Sequence, residues 1–227
     1  MSLFEVEVVL PDKGARASRS SWGGRKPQAK VQLRFDDGGE EVLYVPLTVG
    51  KSLRRRLKEE VAPSSRNELV YRLRELQEQV AVRRVADLLN RRDYSSKELS
   101  DKLRMDGYWT DVVHSCLRKA QEGNLVNDRR YADIFIRSKI NAGWGATRIA
   151  RTLSQRGIDV DELEGWPEAY LPQEDEAQRA YELASRRHYR GRDPYAQAVR
   201  FLGTRGFSMH IAHAVASRLR DEGLLGE

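Results

Sequence analysis

One phrase occurs three times in this 227-residue chain, at spacings of about 50 residues. Ser95-Ser-Lys-Glu-Leu99-Ser-Asp-Lys-Leu103-Arg-Met-Asp-Gly107-Tyr108 aligns with Gly145 to Ile158 and with Pro194 to Phe207. Each copy carries an apolar residue, a Leu four positions on, a Gly four after that, and an apolar residue next. The segment after the Gly recurs too: Val112, Val113, Cys116 and Ala120 before Gly123 correspond to Ile211, Ala212, Val215 and Leu219 before Gly223. Such a period marks a repeat architecture. The spacing predicts three helices per unit: a leading helix (66–91, 129–141 and 174–190), the phrase helix, and a helix after the Gly. A unit of about 45 residues is marginal alone, so neighbours must share apolar surface. Hydrophobic residues make up 40% of the chain, below the roughly 45–50% of ordinary globular domains. Several thin cores fit that share better than one large core.

The chain before the repeats reads differently. Residues 3–10 alternate and are rich in β-branched side chains, as do Val31-Gln-Leu-Arg-Phe35 and Glu41-Val-Leu-Tyr-Val45, with Asp36-Asp-Gly-Gly39 as a hairpin turn. Pro11 to Lys30 holds almost no apolar residue except Trp22 and reads as a basic mobile loop. From residue 51 the pattern is helical, with Leu69, Leu73, Leu76 and Val80 at three- and four-residue steps. Ser95 with Glu98 forms a capping box, Asp111 opens the next helix, and Asp128 reads as the N-cap of the second leading helix. The predicted architecture is mainly α, an elongated array of tandem three-helix repeats with a small N-terminal β-containing region. Its divisions are 1–60, 66–126, 127–173 and 174–227.

Forty Lys and Arg stand against 34 Asp and Glu, a net charge of +6. The distribution is more telling than the total. Residues 12–34 and 129–156 each carry +6, residues 51–58 carry +5, and residues 178–220 carry +7, while 159–176 hold eight acids and no base. Alternating patches point to a polyanion or an acidic protein surface as partner. The acidic run reads as a solvated linker. A lone cysteine excludes an internal disulfide and a thiolate zinc site, and Cys116 sits on an apolar helix face as a small core residue. His210 and His213 share a face without further ligands. No phosphate-binding glycine loop or catalytic constellation is read in the sequence, and neither a secretory signal nor a membrane-spanning stretch is expected. Neither an enzymatic activity nor a cofactor or metal is expected. The basic and aromatic residues remain: Arg137, Lys139, Trp144, Arg148, Arg151 and Arg156 in the second unit, and Arg186, Arg187, Arg190, Arg192, Arg200 and Arg205 in the third. Arg pairs bidentately with phosphate and carboxylate alike. Trp144 either leans on Arg148 or packs between helices.

Three stretches carry a family resemblance. They are Glu98-Leu99…Leu103…Gly107-Tyr108, Glu122-Gly123-Asn124-Leu125-Val126-Asn127-Asp128…Tyr131-Ala132, and Arg148-Ile149…Leu153…Arg156-Gly157-Ile158. Together with Ala198-Val199-Arg200-Phe201-Leu202…Arg205-Gly206-Phe207, they resemble the RecX family of recombination regulators over about residues 66–225. The resemblance implies tandem three-helix repeats and no catalytic residues. It implies binding to the RecA recombinase filament on single-stranded DNA, with inhibition of ATP hydrolysis, filament growth and strand exchange. The setting it implies is cytoplasmic, in homologous recombination, DNA repair and the SOS response, and the chain is expected as a monomer that also contacts single-stranded and double-stranded DNA. The competing expectation is a DNA-binding protein whose repeats act like helix-turn-helix modules without RecA. The corresponding phrase positions, Lys97, Thr147 and Ala196, or Glu98, Arg148 and Gln197, share no base-reading side chain.

Overall fold

The computed structural model describes residues 3–12 and 26–225. The greater part of the basic loop expected at 11–30, with Trp22, lies outside the described residues. At its far end, residues 28–30 belong to a strand. The described chain divides into two compact units, 1–127 and 128–227.

The first unit opens with an antiparallel sheet of β1 (Leu3–Val9), β2 (Gln28–Phe35) and β3 (Glu40–Pro46), in that order. Alternation along β2 buries Ala29, Val31, Leu33 and Phe35 on one face. Helix α1 (Leu47–Glu59) covers that face with Val49 and Leu53. There follow α2 (Arg66–Leu89), α3 (Ser96–Asp106) and α4 (Thr110–Glu122). Helix α4 packs on both α2 and α3. It starts one residue before Asp111. Sheet and helices share one core, including Leu69, Leu73, Leu99, Leu103 and Cys116.

The second unit holds α5 (Asp128–Asn141), α6 (Ala146–Gln155), α7 (Gln173–Ser185), α8 (Pro194–Arg205) and α9 (Met209–Asp221). Two core clusters serve it, one around Phe135, Ile149 and Leu153 and one around Ala198, Leu202 and Val215. Helix α9 packs on α7 and α8 as α4 does on α2 and α3. Between α6 and α7 the expected third helix is replaced by one 3-10 turn, Val160–Glu162, and further turns. Gly165, Pro167 and five acids in this stretch disfavour a helix, and Val160, Leu163, Trp166 and Tyr170 reach the core from turns instead. Asp128 is the first helical residue of α5, not the residue before it. Helix α7 ends at Ser185, so Arg186, Arg187, Arg190 and Arg192 lie beyond it on the segment leading to α8.

The repeated phrase is one capping motif made three times. Tyr108, Ile158 and Phe207 donate their backbone N–H to Leu103, Leu153 and Leu202 carbonyls, at 3.1, 3.0 and 3.2 Å. Gly107, Gly157 and Gly206 have φ of 91°, 76° and 90° and bond back to Arg104, Ser154 and Gly203. These are Schellman motifs, in which the left-handed residue favours Gly and the next residue packs on the last turn. The three Leu side chains are 0% exposed. At the other end of the first phrase helix, Ser95 and Glu98 form the predicted capping box.

Candidate functional site

The site grows from the turn Gly143-Trp144-Gly145 between α5 and α6. Gly145 is the N-cap of α6 and has no side chain to serve the first-turn amides. Those donors need partners, and α7 and α8 supply them. Buried Glu176 on α7 accepts from Ala146 N at 2.8 Å. Gly206 O, just past α8, accepts from Thr147 N at 3.1 Å, and Arg205 O from Gly145 N at 3.0 Å. The C-terminal carbonyls of α8 thus meet the N-terminal amides of α6, a favourable meeting of helix dipoles. One turn along α7 from Glu176, Arg179 donates to the Ile140 and Trp144 carbonyls at 2.8 and 2.9 Å. Burial lowers the pKa of its guanidinium from the ordinary value. The acidic run is therefore no uniform solvated linker, since Glu176 is a structural carboxylate within it.

On this frame sits a ladder of cations over aromatic rings. The Arg148 guanidinium lies 3.8 Å from the Trp144 ring centre. Lys139 lies 5.2 Å from both Trp144 and Phe135, and Arg156 lies 4.4 Å from Phe135. Arg156 also donates to the Tyr131 hydroxyl. Trp144 meets Phe135 edge to face, so both expectations for it hold: it packs between helices and carries Arg148. The third repeat continues the pattern, with Arg187 4.7 Å and Arg205 5.4 Å from the Phe201 ring. The two sets cross-link: Arg148 donates to Thr204 O at 3.3 Å, and Arg205 to Ala142 O at 3.4 Å. Each stacked cation contributes about 0.5–1 kcal/mol at an exposed site. The larger consequence is that ring faces hold the guanidinium planes of Arg148, Arg187 and Arg205 in place, which leaves in-plane N–H groups for an anion.

Of the predicted residues, the junction joins Lys139, Trp144, Arg148, Arg156, Arg187 and Arg205. Arg137 is set apart: Asp133 holds it at 3.1 Å, each partner favouring the other's charged form, and its charge is thereby offset. Arg151, Arg186, Arg190 and Arg200 are exposed, and no ring contact ties them to the ladder. Sequence reasoning passed over Phe135, Phe201, Glu176 and Arg179. The spacing of Glu176 and Arg179, three apart on one helix, was the available signal. Among the described residues no cluster of His, Cys, Asp and Glu is arranged to hold a metal ion, and no helix is long and apolar enough to cross a membrane.

Fold and site together define a class: mainly α proteins built from helical repeats, with basic and aromatic side chains gathered where two repeats meet. The family model for "RecX, second three-helix domain" matches residues 127–164. A regulatory protein RecX of Pseudomonas entomophila is 39% identical over 137 residues, which is 58% of this chain and 87% of that protein. One from Legionella pneumophila is 31% identical, covering 61% of this chain and 93% of the relative. The crystal structure of RecX from Lactobacillus salivarius shares the fold at a TM-score of 0.53 and 24% identity, over 63% of this chain and 97% of that one. A second crystal structure of a regulatory protein RecX gives a TM-score of 0.58 at 21% identity, covering 83% and 94%. The chain belongs to the RecX family of regulatory proteins.

Proposed function

We propose that this chain is a non-enzymatic regulator of the RecA recombinase. It acts in the cytoplasm as a monomer, lies along the RecA filament on single-stranded DNA, and restrains ATP hydrolysis, filament extension and strand exchange. Three tandem units, 66–126, 127–173 and 174–227, follow the 1–60 region and spread many weak contacts over several filament protomers. The observation that carries this reading is the junction of the second and third repeats, within 128–227. There Arg148, Arg187 and Arg205 lie on aromatic rings with no carboxylate partner among the described residues. Such a surface fits phosphate or acidic protein. A sequence-reading helix-turn-helix protein is disfavoured by local geometry. Glu98 is committed to its capping box, Arg148 to Trp144, and Gln197 to the Arg190 carbonyl.

The test is a titration into RecA, ATP and single-stranded DNA. The expected result is a lower steady-state hydrolysis rate at substoichiometric protein. No effect at equimolar protein overturns the reading. Arg148→Glu with Arg151→Glu is expected to weaken filament binding by anisotropy while leaving circular dichroism unchanged. Much tighter binding to one defined duplex than to its scrambled counterpart, without RecA, favours the helix-turn-helix alternative.

A further inference from the structure

The first unit holds a second surface that the sequence did not single out. A groove of about 630 Å³ opens where the sheet meets the first phrase helix, lined by Gln28, Tyr44, Arg104, Trp109 and Thr110 among others. Tyr44 is 51% exposed. Trp109 is fixed on two sides: its indole N–H donates to Tyr44 O at 2.9 Å, and its backbone N–H to fully buried Gln77 at 3.1 Å. Neither ring stacks on another among the described residues; Trp109 is partly buried against the first core where it lines the groove, and Tyr44 keeps the open ring face.

Charge completes the picture. Lys30 stands directly across the β2–β3 ladder from Tyr44, and both point to the solvent face, which places them as cross-strand neighbours. Arg104 approaches the His114 ring at 3.3 Å rather than a carboxylate. No Asp or Glu lines the groove. The neighbouring cavity of about 600 Å³ is built the opposite way: there Asp106 is ion-paired with Lys26 at 2.5 Å and Arg84 at 2.7 Å. Cations without acid partners beside unstacked aromatic faces are the composition of a single-strand groove, in which rings take bases and cations take phosphates.

We propose that this groove binds single-stranded DNA, with a base stacked on the open face of Tyr44 beside Trp109, and the backbone phosphates on Arg104 and on Lys30 next to the groove. The proposal rests on the reading of this chain as a partner of single-stranded DNA and adds a contact on the other compact unit. The experiment uses the full chain, a labelled oligo(dT), and no RecA. Tyr44→Ala combined with Arg104→Ala is expected to weaken binding about tenfold. Tyr44→Phe is expected to keep wild-type affinity, because the ring face is retained. Both positions are exposed, and circular dichroism checks that the fold survives. Arg148→Glu with Arg151→Glu serves as the comparison arm. Wild-type affinity in the Tyr44/Arg104 variant overturns this inference alone and leaves the RecA reading standing. Failure of the unaltered chain to bind oligo(dT) overturns this inference and the DNA contact of that reading, which the RecA titration then tests separately. Equal competition by poly(glutamate) also overturns it, by marking the groove as a site for acidic polypeptide.

Discussion

Gly145 and Gly206 are needed for different reasons at one contact. Gly145 has an ordinary φ, but a Cβ there would lie 2.4 Å from the Gly206 carbonyl oxygen. Gly206 has a φ of 90°, and a Cβ on it would lie 2.2 Å from the Arg148 Cβ. Gly107 shares the left-handed geometry, at φ 91°, yet its Cβ would meet only the Gln28 side chain, from Nε2 at 2.3 Å to Cγ at 2.9 Å, which can move where backbone cannot. A left-handed alanine costs roughly 1–2 kcal/mol, and forcing atoms into an occupied contact adds about 1–3 kcal/mol. Gly107→Ala is therefore expected to destabilise by about 1–2 kcal/mol and Gly206→Ala by about 3 kcal/mol or more. Urea denaturation of the two variants checks the order, and equal losses refute the argument. The repeated Gly was legible from its place four residues after Leu. The harsher demand at Gly206 was not, because the atom it would strike belongs to a residue 58 positions away.

At the scale of elements, the three phrase helices end alike and begin differently. Ser95 caps α3 with its own side chain and Asp193 caps α8, whereas α6 borrows Glu176 from α7. Local capping is written in adjacent residues, so the first case was read from spacing alone. A borrowed cap leaves no local mark, and Glu176 was grouped with seven other acids as linker charge. Glu176→Ala removes the acceptor of Ala146 N, and the unmet donor is expected to cost about 1–3 kcal/mol. Glu176→Gln keeps an acceptor oxygen and is expected to lose less. Thermal melts of both variants make the comparison. A Gln variant as damaged as the Ala variant shows that the charge, rather than the bond, holds the helix end. The same logic explains the truncated second unit. The repeat predicted a third helix after Gly157, but Gly165 and Pro167 break residues 159–170 into turns, from which Val160, Leu163, Trp166 and Tyr170 pack on the core.

For the whole molecule, the thin apolar share resolves into three core clusters among the described residues. Cys116 lies in the first of them, 3% exposed, and burial pushes its thiol pKa up. A raised thiol pKa means less thiolate at any pH below it, and burial also blocks access. Cys116 is expected to react with a thiol reagent only as the first unit opens, so its labelling rate in rising urea should follow that unit's unfolding. Fast labelling under native conditions overturns its placement. By itself the sequence determined the helical repeats, the caps, the hairpin, the buried Leu positions and the family, because each is set by residues close together in the chain or by a pattern that recurs. Only the tertiary structure decided which cations meet which rings, that Arg148 and Arg205 cross-link two repeats, and that Tyr44 and Trp109, 65 residues apart, share a groove. Those pairings depend on how separate elements pack, and side-chain spacing along one helix or strand carries no record of the neighbour it will face.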